Sequence, residues 1–174
     1  MTTNARDIYA GRIIRLTAEE VRLPNGRTTR LDIIRHPGAA AVVPLLDDGR
    51  VALVHQFRHA VGGYLYEVPA GTLQPGETPE ACARREVEEE AGYRPGRLES
   101  LGRIVTAPGF CDEEIHLFLA TALAPTRQTL DHDEVLNVVL MPFEKAIAMV
   151  RDNTIRDAKS IAALTLADAR RRAG

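Results

Sequence analysis

The chain has 174 residues, 45% of them apolar and 26% charged, with a formal net charge of -2 at pH 7. This length suits one main domain with at most a small appendage, and the composition excludes a disordered or fibrous class. The slight acidic balance argues against a nucleic-acid binder, and no apolar run approaches the roughly 18 residues that a membrane-spanning helix needs.

In chain order, short partly alternating runs at Arg12 to Leu16 and Val21 to Leu23 are separated from Arg27 to Arg35 by Pro24-Asn25-Gly26. Asn-Gly between such runs signals a hairpin, because both residues tolerate positive φ. A small N-terminal antiparallel sheet is therefore expected. His36-Pro37-Gly38 then punctuates the chain and marks the expected boundary between an N-terminal segment, 1–37, and the main domain, 38–174.

Longer apolar runs follow at Ala39 to Leu46 and Val51 to Phe57, joined by Asp47-Asp48-Gly49, and a further strand at Leu65 to Val68 ends at Pro69. A helix is predicted from Pro79 to Ala91, capped by Thr78, with proline in its first turn and Gly92 closing it. Leu98 to Thr106, Ile115 to Thr121 and Val135 to Leu140 read as strands, and Glu144 to Arg151 and Ala158 to Arg172 as helices. Arg170 to Arg172 then form the last turn of a helix, where cations suit the dipole. Strands and helices mix without strict alternation, so the fold class is α+β, a mixed β-sheet between helices. There is no internal repeat and no low-complexity tract.

Cys82 and Cys111 form no CxxC pair, which excludes a zinc knuckle or a disulfide scaffold and suits a reducing compartment. Arg, Asp and Glu interrupt the start of the chain, no signal peptide is read there, and a cytoplasmic location is expected.

The segment from Gly71 to Tyr93, GTLQPGETPEACARREVEEEAGY, carries the chemistry. On a helix, Glu86, Glu89 and Glu90 stand at i, i+3 and i+4 and share one face. Crowded carboxylates resist ionising together unless cations sit among them, and hard cations such as Mg²⁺ bind carboxylate and phosphate oxygens at once. An isolated acidic run is ordinarily a solvated face. Here Ala83, Val87 and Ala91 add a narrow apolar stripe for close packing, and Gly71, Gly76 and Gly92 bracket the helix.

The segment resembles the Nudix box, G-x5-E-x7-R-E-U-x-E-E-x-G-U. Gly71, Glu77, Arg85-Glu86-Val87, Glu89-Glu90 and Gly92 match its fixed letters, and Tyr93 stands where an aliphatic residue is common. The resemblance implies a Nudix fold and hydrolysis of a nucleoside diphosphate linked to another group. It implies Glu86 and Glu90 as the main metal ligands, with Glu89 assisting the metal and the catalysis. The backbone carbonyl of Ala70 is a further implied ligand, and Arg85 is implied to pair with Glu77 and hold the loop against the helix. Mg²⁺ is the implied cofactor, two or three ions bridging carboxylates and diphosphate, with Mn²⁺ as a substitute.

Pro108, fifteen residues beyond Tyr93 in Ala107-Pro108-Gly109-Phe110, resembles the mark of the ADP-ribose pyrophosphatase subgroup. The likeness extends through Gln56-Phe57-Arg58, Asp131-His132-Asp133-Glu134 and Arg156-Asp157-Ala158-Lys159-Ser160. It implies substrate contacts at Arg58, Pro108 and Gly109, whereas Glu67 reads either as a surface ion-pair partner or as a substrate contact. The resemblance also implies a water-activating acid in the loop Asp131 to Glu134, with Glu134 the best match, Asp133 the second candidate and His132 the third. The expected reaction converts ADP-ribose to AMP and ribose 5-phosphate. The alternatives are hydrolysis of GDP-mannose or another nucleoside diphosphate sugar, and a non-catalytic module that binds ADP-ribose. Members of the subgroup are homodimers that exchange N-terminal sheets, so a homodimer is expected, with no nucleic-acid or membrane partner.

Overall fold

The computed structural model describes residues 2–173 and divides into two compact units. One comprises the chain up to Gly38 together with Val105–Glu114; the other comprises Ala39–Ile104 and the chain from Ile115 onward.

The first unit is built on three antiparallel strands, β1 (Thr2–Ala10), β2 (Arg15–Arg22) and β3 (Thr28–Arg35), in the order β1-β2-β3. The β2–β3 hairpin lies at the expected Pro-Asn-Gly, but its turn differs from the expected one. Gly26 has φ of +82° and donates to the Leu23 carbonyl at 2.9 Å, while Asn25 is not in the left-handed region. Proline presets the turn's first central residue, and one left-handed glycine then restores the strand twist. Of the two short runs expected at Arg12 to Leu16 and Val21 to Leu23, the parts from Arg15 and up to Arg22 belong to one continuous strand, with Thr17, Ala18 and Glu19 buried between them, while Arg12 to Ile14 and Leu23 lie outside it. Strand β1 carries no strand signal in its sequence. Its polar residues show no apolar alternation, and pairing with β2 from Thr2↔Val21 to Ala10↔Arg15 is what makes it a strand.

Within this unit, Val105–Glu114 folds alongside β3. The Ile34 amide donates to the Phe110 carbonyl at 2.7 Å, and the Asp112 amide to the Ile34 carbonyl at 3.1 Å. Arg35 ties the segment to β2 through Asp112 at 2.9 Å and through the buried Glu19 at 2.5 Å.

The second unit contains a four-stranded mixed sheet in the order β7-β4-β9-β8: β7 (Ala70–Thr72), β4 (Ala39–Pro44), β9 (Glu114–Pro125) and β8 (Tyr93–Val105). A three-stranded sheet has the order β10-β5-β6: β10 (Leu136–Pro142), β5 (Arg50–Arg58) and β6 (Gly63–Glu67). Strand β4 is buried along its whole length, parallel to β9 and antiparallel to β7. Its alternating residues divide the core. Ala40 and Val42 pack with Phe118, Ala120 and the first helix, α1 (Pro79–Ala91), through Cys82, Ala83 and Val87. Ala39, Ala41 and Val43 pack with Val51, Leu53 and the helices α2 (Phe143–Arg151) and α3 (Ala158–Ala173), through Phe143, Ile147 and Leu164.

The expected α+β class, with a mixed sheet between helices, is present. The short β7 was not expected, because three residues after a proline carry too little pattern to read. At the end of α3, Arg170 pairs with Glu99 at 2.6 Å, Arg171 lies over the Phe143 ring, and Arg172 pairs with Asp168 at 2.9 Å. That arginine cluster is engaged as a helix end.

Candidate active site

Helix α1 starts and stops where its sequence directs. Thr78 Oγ1 accepts from the Ala81 amide at 3.2 Å, Pro79 fills the first turn, and Gly92 takes φ of +70° at the C-cap. The face turned inward carries Cys82, Ala83, Glu86, Val87, Glu90 and Ala91. Two carboxylates are thus buried on the same side as the apolar stripe, Glu86 at 6% exposure and Glu90 at 2%.

Strand β7 leaves room for Glu86 because it contains Gly71. A Cβ at that position would stand 1.7 Å from Glu86 Oε1, an overlap that only glycine avoids. One residue earlier, the Ala70 amide donates to Glu90 Oε2 at 3.0 Å, so β7 touches both acids.

Arg85 organises the outer side. Its Nε and Nη2 grip both oxygens of Glu77 at 2.9 and 3.0 Å, while Nη1 reaches Glu86 at 2.5 Å and Glu89 at 3.1 Å. The two-pronged contact holds the Glu77 carboxyl down at about 2. Glu88, in the same acidic run, turns outward to Arg94 at 2.7 Å.

Burial pushes Glu86 up to about 7 despite Arg85, with Glu89 and Glu134 adding repulsion. Burial likewise pushes Glu90 up to about 8, helped by Glu86 and Glu134 and opposed by the Ala70 amide and Arg58. Among the described residues, no three His, Cys, Asp or Glu side chains converge into a ready-made metal cage. The donor set nevertheless suits a hard divalent cation, which would add positive charge beside Glu90, held by an amide, and beside Glu86, which shares Arg85 with Glu77 and Glu89.

Glu134 acts on both acids electrostatically. It lies in a turn where its amide donates to the Asp131 carbonyl at 3.1 Å and its Oε2 accepts from the Asp131 amide at 2.9 Å. Asp133 and His132 are exposed in the same turn, 3.9 Å apart.

Arg58, at the end of β5, holds Glu67 with Nε at 2.8 Å and Nη2 at 2.9 Å. Glu67 is no surface residue; it is 1% exposed and also receives Lys159 from the start of α3. The sequence assigns Lys159 no role beyond its place in the Arg156 to Ser160 stretch, because its partner lies 92 residues away. Gln56, on the same face of β5 as Arg58, has a buried Oε1 that accepts no hydrogen bond among the described residues.

Pro108 and Gly109 belong to the N-terminal unit, in a turn closed by Phe110 N donating to the Ala107 carbonyl at 3.0 Å. Pro108 there lines a concavity of about 200 Å³ with Glu19, Val21, Leu31, Ile33 and Arg35.

Comparison with known proteins adds three kinds of finding. The family model described as NUDIX domain matches residues 35–164. A methanol dehydrogenase activator of Bacillus methanolicus is 36% identical over 165 residues, covering 94% of this chain and 89% of that protein. An ADP-ribose pyrophosphatase of Bacillus subtilis is 39% identical over 165 residues, with the same two coverages of 94% and 89%. A solved structure titled as that of an ADP compounds hydrolase superimposes with a TM-score of 0.86, over 99% of this chain and 94% of that one. At 21% identity it speaks for the fold.

Proposed function

The chain belongs to the Nudix family of hydrolases, and from that premise we propose that it cleaves the diphosphate of ADP-ribose, giving AMP and ribose 5-phosphate. The observation that carries a hydrolytic reading is the pair of buried acids, Glu86 and Glu90, against β7, whose Gly71 leaves room for Glu86 and whose Ala70 amide meets Glu90. The choice of ADP-ribose is supported by the Bacillus subtilis relative, which matches over nearly the whole chain. The relative named as an activator covers the same span, and the complete acidic set on α1 favours catalysis over a purely binding role.

Glu86, Glu89 and Glu90, with the Ala70 carbonyl, are the residues that would hold Mg²⁺, or Mn²⁺ in its place. When bound, the cation would neutralise charge on the diphosphate and make an attacking water more acidic. Glu134 accepts the proton of that water, with Asp133 the second candidate. Arg85 sets the orientation of Glu86 and Glu89, and Glu77 holds Arg85. Arg58 meets the diphosphate or the terminal ribose, its fork suiting phosphate oxygens. Pro108 and Gly109 contribute substrate contacts from their turn. Glu67 serves the substrate indirectly, since its carboxylate is engaged by Arg58 and Lys159.

The working form is a homodimer. Ile8, Tyr9, Ile13 and Ile14 of the N-terminal unit are exposed by 38% or more, an apolar surface that a second copy would cover. Both cysteines are free thiols and no helix among the described residues is long and apolar enough to cross a membrane, which supports a cytoplasmic location.

The test is product identification with ADP-ribose, GDP-mannose, NADH, FAD and diadenosine compounds, with Mg²⁺ and after chelation, alongside light scattering. AMP and ribose 5-phosphate formed fastest from ADP-ribose, only with the divalent ion and from a dimer, is the expected result. Preferential turnover of GDP-mannose would transfer the reading to that substrate, and binding without turnover would make the chain a sensor.

A further inference from the structure

A partly buried ionic chain, centred on the buried Glu67, runs from the start of α3 to Arg58 at the end of β5. Asp157 sits immediately before α3 and caps it, its Oδ2 accepting from the Ser160 amide at 3.0 Å and from Ser160 Oγ at 2.5 Å. The same oxygen receives Lys159 Nζ at 3.0 Å. Lys159 Nζ also donates to Glu67 Oε2, and Glu67 in turn holds the Nε and Nη2 edge of Arg58. Ser160 Oγ accepts from the Val68 amide at 2.8 Å, two residues before Ala70. The first turn of α3 therefore touches both the anchor of Arg58 and the strand that leads to Ala70.

We propose that Lys159, held by Asp157, is a positioning residue for the substrate diphosphate, acting through Glu67 on Arg58. The assignment rests on the Nudix reading of the site, but the geometry is independent of it. A carboxylate 2% exposed needs more than one partner to remain charged, and Glu67 has two cations. Lys159 takes up part of the acceptor capacity of Glu67 and part of its charge. Arg58 is then fixed along one edge without being fully neutralised, and its Nη1 end is left turned away from Glu67. Arg58 remains 39% exposed at its side chain, in contrast to Lys159 at 13%, so one cation faces outward and the other is structural support. Without Lys159, the buried carboxylate draws wholly on Arg58 and the guanidinium becomes a poorer phosphate ligand.

A double-mutant cycle tests this, with wild type, Lys159→Met, Arg58→Ala and the double variant. Two readouts are taken: equilibrium binding of ADP-ribose without divalent ion, and KM and kcat with Mg²⁺. Lys159→Met should raise Kd and KM by about tenfold while kcat changes by less than about threefold, as expected for a lost binding contact. The double variant should be no weaker than Arg58→Ala alone, and Lys159→Arg should recover most of the loss. Losses that multiply in the double variant, or unchanged binding in Lys159→Met, would overturn the proposal. Should Lys159→Met not fold, Lys159→Gln, which retains a donor to Glu67, completes the same cycle with a smaller expected shift. A wild type that neither binds nor cleaves ADP-ribose would overturn the functional reading and this assignment together. An active wild type with multiplying losses would overturn this assignment alone.

Discussion

Gly71 lies against the carboxylate of Glu86 so closely that a methyl group on its α-carbon would overlap Oε1, at 1.7 Å. The first residue of the Nudix box is thus a glycine for want of space, not for an unusual backbone angle, since it is absent from the glycines with positive φ. Gly71→Ala must push Glu86 aside or shift β7. A displacement of about 1 Å in such a site can cost about 10²-fold, so kcat/KM should fall by that order while the far-ultraviolet circular dichroism stays native. Activity within threefold of wild type would mean that Glu86 has another place to go.

The ion pair of Glu77 with Arg85 predicts a pH dependence of stability. The folded protein lowers the Glu77 carboxyl from 4.5 to about 2, because Arg85 grips both oxygens. A depressed acid contributes its stability above the unfolded value and loses it as pH falls through the folded one. Between about pH 4.5 and pH 2, wild type should therefore lose more stability than Glu77→Gln, by about 1 kcal/mol for a partly exposed pair. Urea titrations at pH 7 and pH 3 measure it; equal losses in the two proteins would show that the pair contributes nothing.

Glu134 carries the proposed proton transfer. Glu134→Gln keeps an oxygen able to accept from the Asp131 amide, so the turn should survive. Removal of a general base typically costs about 10² to 10⁴ in kcat, and that loss is expected with the melting temperature unchanged. If kcat falls only in Asp133→Asn, the role passes to Asp133.

The acids on α1 should differ in their response to metal. Glu90 is buried and Glu89 is partly exposed, with 43% of its side chain accessible. Glu90→Gln should raise the Mg²⁺ concentration for half-maximal activity by at least about tenfold, and Glu89→Gln by less. Identical metal titrations for wild type and both variants would remove these residues from the ligand set.

Much of the site could be read along the chain because it is local. Thr78, Pro79 and Gly92 mark the ends of α1, and all three act there as their chemistry dictates. Glu77 and Arg85 are eight residues apart, close enough for one loop and one helix to bring them together. The ionic chain was not legible in this way. Glu67 and Lys159 are 92 residues apart, and nothing in the residues around either names the other. One partial signal existed, since Asp157 followed three residues later by Ser160 has the spacing of a helix cap and placed Lys159 in the first turn of α3. Strands β1 and β7 escaped for a related reason, as both owe their conformation to a neighbouring strand.

The run Glu88-Glu89-Glu90 separates the two levels. Residue order alone determined that a helix would carry these acids and that Glu86 and Glu90, one turn apart, would share a side. Only the packing of α1 against β4 and β7 decided that Glu90 is buried under the Ala70 amide while Glu88 reaches outward to Arg94. The three side chains are chemically identical. Helical periodicity is a local property, but burial and charge are conferred by segments distant in the chain, and burial is what sets Glu90 apart from Glu88 and Glu89.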